Sequence, residues 1–310
     1  MERRVLIIGG STFIGSWLLE RLSEKREYRI VVLDETYPDV YTTRFHFIKG
    51  SLLERGKLRQ ALNNVDYVIH CLVHRDPLEN NYDIFLKLNI KGTMNLVEEA
   101  IRQRINRLIF ISTCDVYGIP TSLPVDENHP LRPITPYASS MVAAEALIMT
   151  LSAKDINWLI LRAFDVYGPR QDQRWLVDVR RMCEDLILSG KIEVFGRGDT
   201  IRDLVYIEDL VEAVIELLER DEIEQAILNV ANGEPIMLKD LVNLLIKISG
   251  IEAKIVFKEE FSKFMPSIYA EVRQLRSILP WFPRYSLQDG VSRTLKWVRM
   301  VLSKKSFLSY

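Results

Sequence analysis

The first 34 residues constrain this chain more than any other stretch. An apolar run at 5–8 leads into Gly9-Gly10-Ser11-Thr12-Phe13-Ile14-Gly15, and a helical pattern follows over 13–25. A strand that turns on glycines straight into a helix is the local context of a dinucleotide fingerprint. Gly9 permits the tight turn, and Gly15 lets the helix lie close to the strand. The backbone N–H groups of Ser11, Thr12, Phe13 and Ile14 then open the helix toward a pyrophosphate. Asp34 ends the second apolar run, about 20 residues further on, where an acid binds the adenine-ribose hydroxyls and repels a 2′-phosphate. That register favours NAD over NADP. Taken singly, each feature has a plainer reading, as a glycine turn without ligand or as a solvated loop acid.

Further apolar runs at 30–33, 67–69, 108–111 and 158–161 alternate with helical patterns at 83–104 and 137–154. Uninterrupted Val/Ile/Leu runs suit strands buried on both faces of a parallel sheet. Strand–helix alternation predicts right-handed βαβ units and a Rossmann-type, doubly wound α/β fold. The character changes after Gly168, where turn signals thicken at Gly196-Arg197-Gly198-Asp199, at Asn232-Gly233-Glu234-Pro235 and at 280–283. Helices are expected at 208–219, 238–248 and 287–302. The division this predicts is a nucleotide-binding domain over 1–167 and a smaller α/β substrate lobe over 168–310. A strand near 226–231 is expected to return to the first sheet.

A formal net charge of −1 over 310 residues leaves no electrostatic footprint for nucleic acid or an anionic membrane. The apolar run before Gly9 is too short for a secretory signal, and no stretch approaches the roughly 20 residues of a membrane span. Cys71, Cys114 and Cys183 are widely spaced and form no CxxC pair, which reads as reduced thiols and a cytoplasmic setting. His70 and His74 stand at a strand end, where a spacing of four does not share a face, so no metal is expected.

The chain resembles the extended short-chain dehydrogenase/reductase family, the NAD-dependent nucleotide-sugar epimerases and dehydratases. The likeness spans nearly its whole length. It is carried by the glycine motif, Val65-Asp66-Tyr67-Val68-Ile69-His70, Asn89-Ile90-Lys91-Gly92-Thr93 and Ile111-Ser112-Thr113-Cys114-Asp115-Val116-Tyr117-Gly118. It continues through Pro136-Tyr137-Ala138-Ser139-Ser140, Leu161-Arg162-Ala163-Phe164-Asp165-Val166-Tyr167-Gly168-Pro169-Arg170 and Arg202-Asp203-Leu204-Val205-Tyr206. The resemblance implies transient oxidation of a sugar hydroxyl, with Tyr137 as acid/base and Thr113, just beyond the strand at 108–111, bonding the same hydroxyl. It also implies that Leu72 and Asn89 join the NAD site, that Arg202 and Asp165 lie at the substrate diphosphate, and that Asp115 can serve as a dehydratase-type acid. Relatives pair two helices across a two-fold axis, so a homodimer through a four-helix bundle is expected, with Ala143, Ala144, Leu147 and Ile148 as its seam.

Several positions depart from the family pattern. Met141 stands where a lysine follows the tyrosine by one helical turn. That lysine lowers the phenol pKa and binds the nicotinamide ribose. Losing an opposite charge worth roughly 1–3 pKa units cuts the phenolate fraction by about 10- to 1000-fold. Restoring it by Met141→Lys is expected to raise turnover more than tenfold, and no other residue in the sequence stands in for it. Thr12 replaces the middle glycine, Ser51 an adenine-contacting aspartate, Asp165 an asparagine and Ser267 a phosphate-binding arginine. Cys114 is a poor stand-in for the dehydratase aspartate, which favours epimerase over dehydratase. Two readings result: an NAD-dependent enzyme acting on a nucleotide-activated sugar, or an attenuated member that binds NAD or nucleotide sugar as a sensor or partner subunit.

Overall fold

The computed structural model describes residues 2–76, 79, 81–172, 177–259, 263, 265–280 and 283–307. Trp281 and Phe282, in the turn expected at 280–283, lie outside the described residues. The strands in chain order are β1 (Arg3–Ile8), β2 (Tyr28–Asp34), β3 (His46–Lys49), β4 (Tyr67–His70), β5 (Arg107–Thr113), β6 (Asn157–Ala163) and β7 (Asp165–Tyr167). They continue as β8 (Lys191–Phe195), β9 (Ile201–Arg202), β10 (Leu204–Tyr206), β11 (Gln225–Val230), β12 (Ile236–Met237) and β13 (Lys254–Lys258). The helices are α1 (Phe13–Glu24), α2 (Arg55–Ala61), α3 (Tyr82–Phe85), α4 (Gly92–Gln103), α5 (Pro136–Met149) and α6 (Val179–Ser189). They are followed by α7 (Ile207–Leu218), α8 (Leu238–Ser249), α9 (Arg273–Ile278) and α10 (Leu287–Phe307).

Seven strands form one sheet in the order β11-β6-β5-β4-β1-β2-β3, with every neighbouring pair parallel. The apolar runs explain why both faces are covered. Val5, Ile7, Ile69, Ile109, Ile111, Leu159 and Leu161 enter the core on one face, which α1 and α7 share. Leu6, Ile8, Val68, Leu108, Phe110 and Ile160 alternate onto the other, against α2, α4 and α5. This period of two, with apolar residues at both phases, requires a sheet between two helical layers. The segment after β6 returns to the sheet through β11, which pairs with β6 along its whole length. Short strand pairs β7–β10, β9–β12 and β8–β13 build the remainder, together with α6, α8 and α10.

The order reverses at β1, which has β2 on one side and β4 on the other. The loops leaving β1 and β4 therefore diverge, and a crevice opens at the carboxyl ends of the strands. A cavity of about 750 Å3 also lies at the opposite, amino ends of β5 and β6, lined by Arg104, Arg107, Lys154 and Asp221 among others. Open α/β sheets bind ligands at the carboxyl edge, so the crevice rather than that cavity is the candidate site.

The helix expected over 83–104 is not uniform. A six-residue π-helix, Leu86–Lys91, lies between α3 and α4. Likewise α5 ends at Met149, and a 3-10 turn carries the chain on to Lys154.

Candidate active site

The turn after β1 has the geometry its glycines require. Gly9 adopts a φ of +93°, and a Cβ there would lie 2.8 Å from Leu72 Cβ. A Cβ on Gly15 would lie 1.9 Å from the Gly9 carbonyl oxygen. Only glycine fits a contact that short. Gly15→Ala is accordingly expected to push α1 off the turn, lowering NAD affinity at least tenfold in isothermal titration and lowering the melting temperature.

Thr12 explains how the family's middle glycine is dispensable. Its φ of −70° suits any residue, and its Oγ1 accepts from Gly15 N at 3.1 Å as the N-cap of α1. The same hydroxyl donates to the Gly9 carbonyl at 2.7 Å. Asp34, buried at the end of β2, accepts from Ser11 N at 2.8 Å and from Thr36 N at 3.1 Å. The carboxylate thus stands beside the glycine turn, as the register requires. A glycine cradle that a Cβ would fill, helix-start N–H groups and a buried acid next to them together fit a dinucleotide such as NAD.

Asn89 is placed differently from a direct cofactor ligand. Fully buried in the π-helical segment, its Oδ1 accepts from His74 N at 2.7 Å. Its Nδ2 donates to His74 O at 3.0 Å and to Ser140 Oγ at 2.8 Å. It clamps the loop after β4 onto α5. Ser51 accepts from Leu53 N, at 3.4 Å, at the entry to α2. His70 is buried against Thr93 and the Phe110 ring, and desolvation pushes its imidazole pKa down to about 3.

Tyr137 and Thr113 come together from different elements. Thr135 caps α5 by accepting from Ala138 N at 3.1 Å, and Pro136 opens the helix, so Tyr137 lies in its first turn. Thr113 is the last residue of β5 rather than beyond it, and its hydroxyl also caps the short 3-10 turn 114–117. The Tyr137 phenol is buried and pushed up to about 12, chiefly by desolvation, with the Arg75 charge and the neighbouring Thr113 hydroxyl acting to lower it. Asp115 Oδ2 accepts from Thr113 Oγ1 at 3.1 Å. Tyr137 shares a narrow cleft of about 50 Å3 with Thr12, Phe13, Ile14, Val73 and Arg75. Met141, one turn along α5, is fully buried in the core and presents no charge.

What fixes α5 against the sheet is a buried network invisible in the sequence pattern. Arg162 of β6 pairs with Glu145 at 2.8 Å, both nearly inaccessible. Ser112 Oγ also donates to Glu145. Arg162 Nη1 donates to Tyr117 Oη at 3.1 Å, and Tyr117 in turn donates to Asn229 Oδ1 at 2.6 Å.

Asp165 and Arg202 are brought together, but with each other. Arg202 Nε and Nη2 grip the two Asp165 oxygens at 2.6 and 2.8 Å, and Arg202 Nη1 donates to Pro266 O at 3.0 Å. Both are buried, so the guanidinium is neutralised within the protein. Ser267 accepts from Ile201 N at 3.0 Å. Cys114 is a buried free thiol whose pKa desolvation holds well above the ordinary value. The expected dimer seam is corrected in part. Ala144 and Ile148 are fully buried against their own sheet and are unavailable to a partner, whereas Ala143 and Leu147 are half-buried.

The sequence signature of the NAD dependent epimerase/dehydratase family matches residues 5–231, from β1 to just past β11. The chain belongs to this family. A Methanocaldococcus jannaschii protein provisionally assigned as a UDP-glucose 4-epimerase is 29% identical over 307 residues, covering 95% of this chain and 98% of its own length. The UDP-glucuronic acid 4-epimerase of Bacillus cereus, solved with UDP-glucuronic acid and NAD, is 26% identical. It superposes with a TM-score of 0.88 over 96% of this chain and 99% of its own. The UDP-glucose 4-epimerase of Thermotoga maritima, solved with UDP-glucose, is also 26% identical, with a TM-score of 0.87 and the same coverage. The family is NAD-dependent, and its members include nucleotide-sugar epimerases and dehydratases.

Proposed function

We propose that the chain is an NAD-dependent epimerase that oxidises and then re-reduces one carbon of a nucleotide-activated sugar. The observation carrying this reading is Tyr137 on the cleft it shares with Thr12, Phe13 and Ile14 at the start of α1, with the buried Thr113 hydroxyl beside its phenol. Gly9, Ser11, Thr12, Phe13, Ile14 and Gly15 would hold the NAD pyrophosphate, Asp34 its adenine ribose, and Leu72 the wall behind Gly9. Asn89 serves that site by fixing the loop after β4. Bound NAD supplies the hydride acceptor. Tyr137 Oη accepts the sugar hydroxyl proton as the C–H electron pair leaves, so a carbonyl forms, and it gives a proton back when the carbonyl is reduced. Thr113 orients the hydroxyl. Asp115 is engaged by Thr113 and faces Arg75 at 3.9 Å, which favours epimerisation over a dehydratase role for that carboxylate.

Residues 168–310 contribute the substrate lobe in this reading. Arg202 meets a diphosphate only by exchanging Asp165 for it, so binding energy is partly offset by the lost ion pair. That same pair, with Met141, favours the second reading, a member that binds NAD or nucleotide sugar with little turnover. The test is incubation with NAD and a panel of UDP-sugars, followed by NMR of the sugar products. Epimer formation supports the enzyme, whereas NAD binding without turnover on any member of the panel leaves the sensor reading.

The setting we propose is cytoplasmic, in keeping with three buried free thiols. Among the described residues no helix is long and apolar enough to cross a membrane. The partner we propose is a second copy, meeting through the outer faces of α4 and α5. Ala143 and Leu147 would lie in that seam, and Met149 at its end is exposed.

A further inference from the structure

The loop after β4 carries a positive charge to the ring of Tyr137, the residue whose following lysine is replaced by Met141. The Arg75 guanidinium stands over the Tyr137 ring, 5.5 Å from its centroid. Its Nη2 lies 3.9 Å from Asp115 Oδ2, and its side chain is only 18% exposed. Arg75 lines the same cleft as Tyr137, Thr12 and Ile14. The loop is held there by Asn89, which grips the His74 backbone on both sides, and by the His74 ring against Phe85. Phe85 packs in turn on Tyr137.

We propose that Arg75 replaces the missing lysine as the cation that eases deprotonation of Tyr137. The inference deepens the enzyme reading above and rests on it. Arg75 acts through Tyr137 and is a positioning residue. Arginine suits the task, because its charge persists at any working pH and its planar group stacks on an aromatic face. Among the described residues the other charged or titratable groups facing Tyr137 are Asp115 and Cys114 on the 3-10 turn, and Asp172 shares the cleft. Arg75 opposes the burial and the Asp115 charge that raise the phenol. Burial still holds the phenol high with Arg75 in place, so a lysine at position 141 would add to its effect.

The test combines a cycle of variants with a titration that needs no turnover. Arg75→Gln, Met141→Lys and the double variant are assayed against pH, with Arg75→Lys as the conservative control. A cation within about 4–6 Å lowers a phenol pKa by roughly 1–3 units. Arg75→Gln should therefore cut kcat at neutral pH by about tenfold or more, and move the rising limb of the pH profile upward by one pH unit or more. Met141→Lys should raise the rate in both backgrounds and recover most of the loss in Arg75→Gln. Arg75→Lys should retain most of the activity. Separately, 3-fluorotyrosine placed at position 137 is titrated by 19F NMR in the parent and in Arg75→Gln, and its midpoint should rise in the variant. An unmoved midpoint overturns the proposal whether or not the chain turns over. A higher KM with an unchanged pH profile also overturns it, assigning Arg75 to substrate binding. A moved midpoint in a chain that converts no sugar upholds Arg75 and sinks the enzyme reading alone.

Discussion

Glu145→Ala is expected to destabilise the protein by about 3–5 kcal/mol in urea denaturation, because it strands the buried Arg162 guanidinium. Glu145 is 2% exposed and Arg162 3%, so solvent does not screen the loss. Ser112 loses its acceptor at the same time. The Arg162 bonds to Tyr117 Oη and Glu127 O cannot make up for a missing counter-ion, since both acceptors are neutral. Glu145→Gln keeps the shape and one acceptor and should lose distinctly less. The effect reaches the site, because α5 carries Tyr137 eight residues upstream of Glu145. A loss below 1 kcal/mol for the alanine variant contradicts this account of how α5 is anchored.

Tyr137→Phe should reduce turnover by about 10²- to 10⁴-fold, the usual weight of a positioned acid/base. The ring is retained, so its packing on Phe85 persists and the melting temperature should move little. NAD affinity should stay within about threefold, since the glycine turn and Asp34 are untouched. The pH dependence has a definite sign. Burial pushes the phenol up to about 12 in the protein, so it is protonated at neutral pH. Sugar oxidation needs the deprotonated form, and its rate should climb about tenfold per pH unit through the mildly alkaline range. Return of the hydride needs the protonated form and should show no such climb. Stopped-flow absorbance at 340 nm separates the two halves. Activity of Tyr137→Phe within tenfold of the parent excludes this tyrosine as the acid/base.

The strands most legible in the sequence were those buried on both faces. Runs such as Val5–Ile8 cannot face water in any other arrangement, and β1, β2, β4, β5 and β6 all follow from them. The edge strand β3 escaped, since only Ile48 of its four residues is fully buried and its pattern is faint. Helix α2 escaped for a similar reason, with Leu58 and Ala61 alone buried. The π-helical segment has no sequence signature, because one extra residue per turn leaves composition unchanged. At the site, the turn glycines and Asp34 were legible because backbone geometry dictates them. Arg75 was not. Its position beside Tyr137 depends on the path of a loop between two elements, and an arginine five residues past the end of β4 gives no sign of it. The Asp165–Arg202 pair was equally hidden: two charges 37 residues apart read as two ligands until the fold joins them.

Thr12 ties the folding history of the chain to its later loading. A glycine at that position offers no side chain to the start of α1, and the exposed donors of the first turn then lean on whatever anion arrives. Thr12 instead closes the turn with its own hydroxyl, a contribution of about 0.5–2 kcal/mol for a cap of this kind. The first turn of α1 is thus closed by the protein's own hydroxyl, and a bound dinucleotide adds its binding energy to a turn already in place.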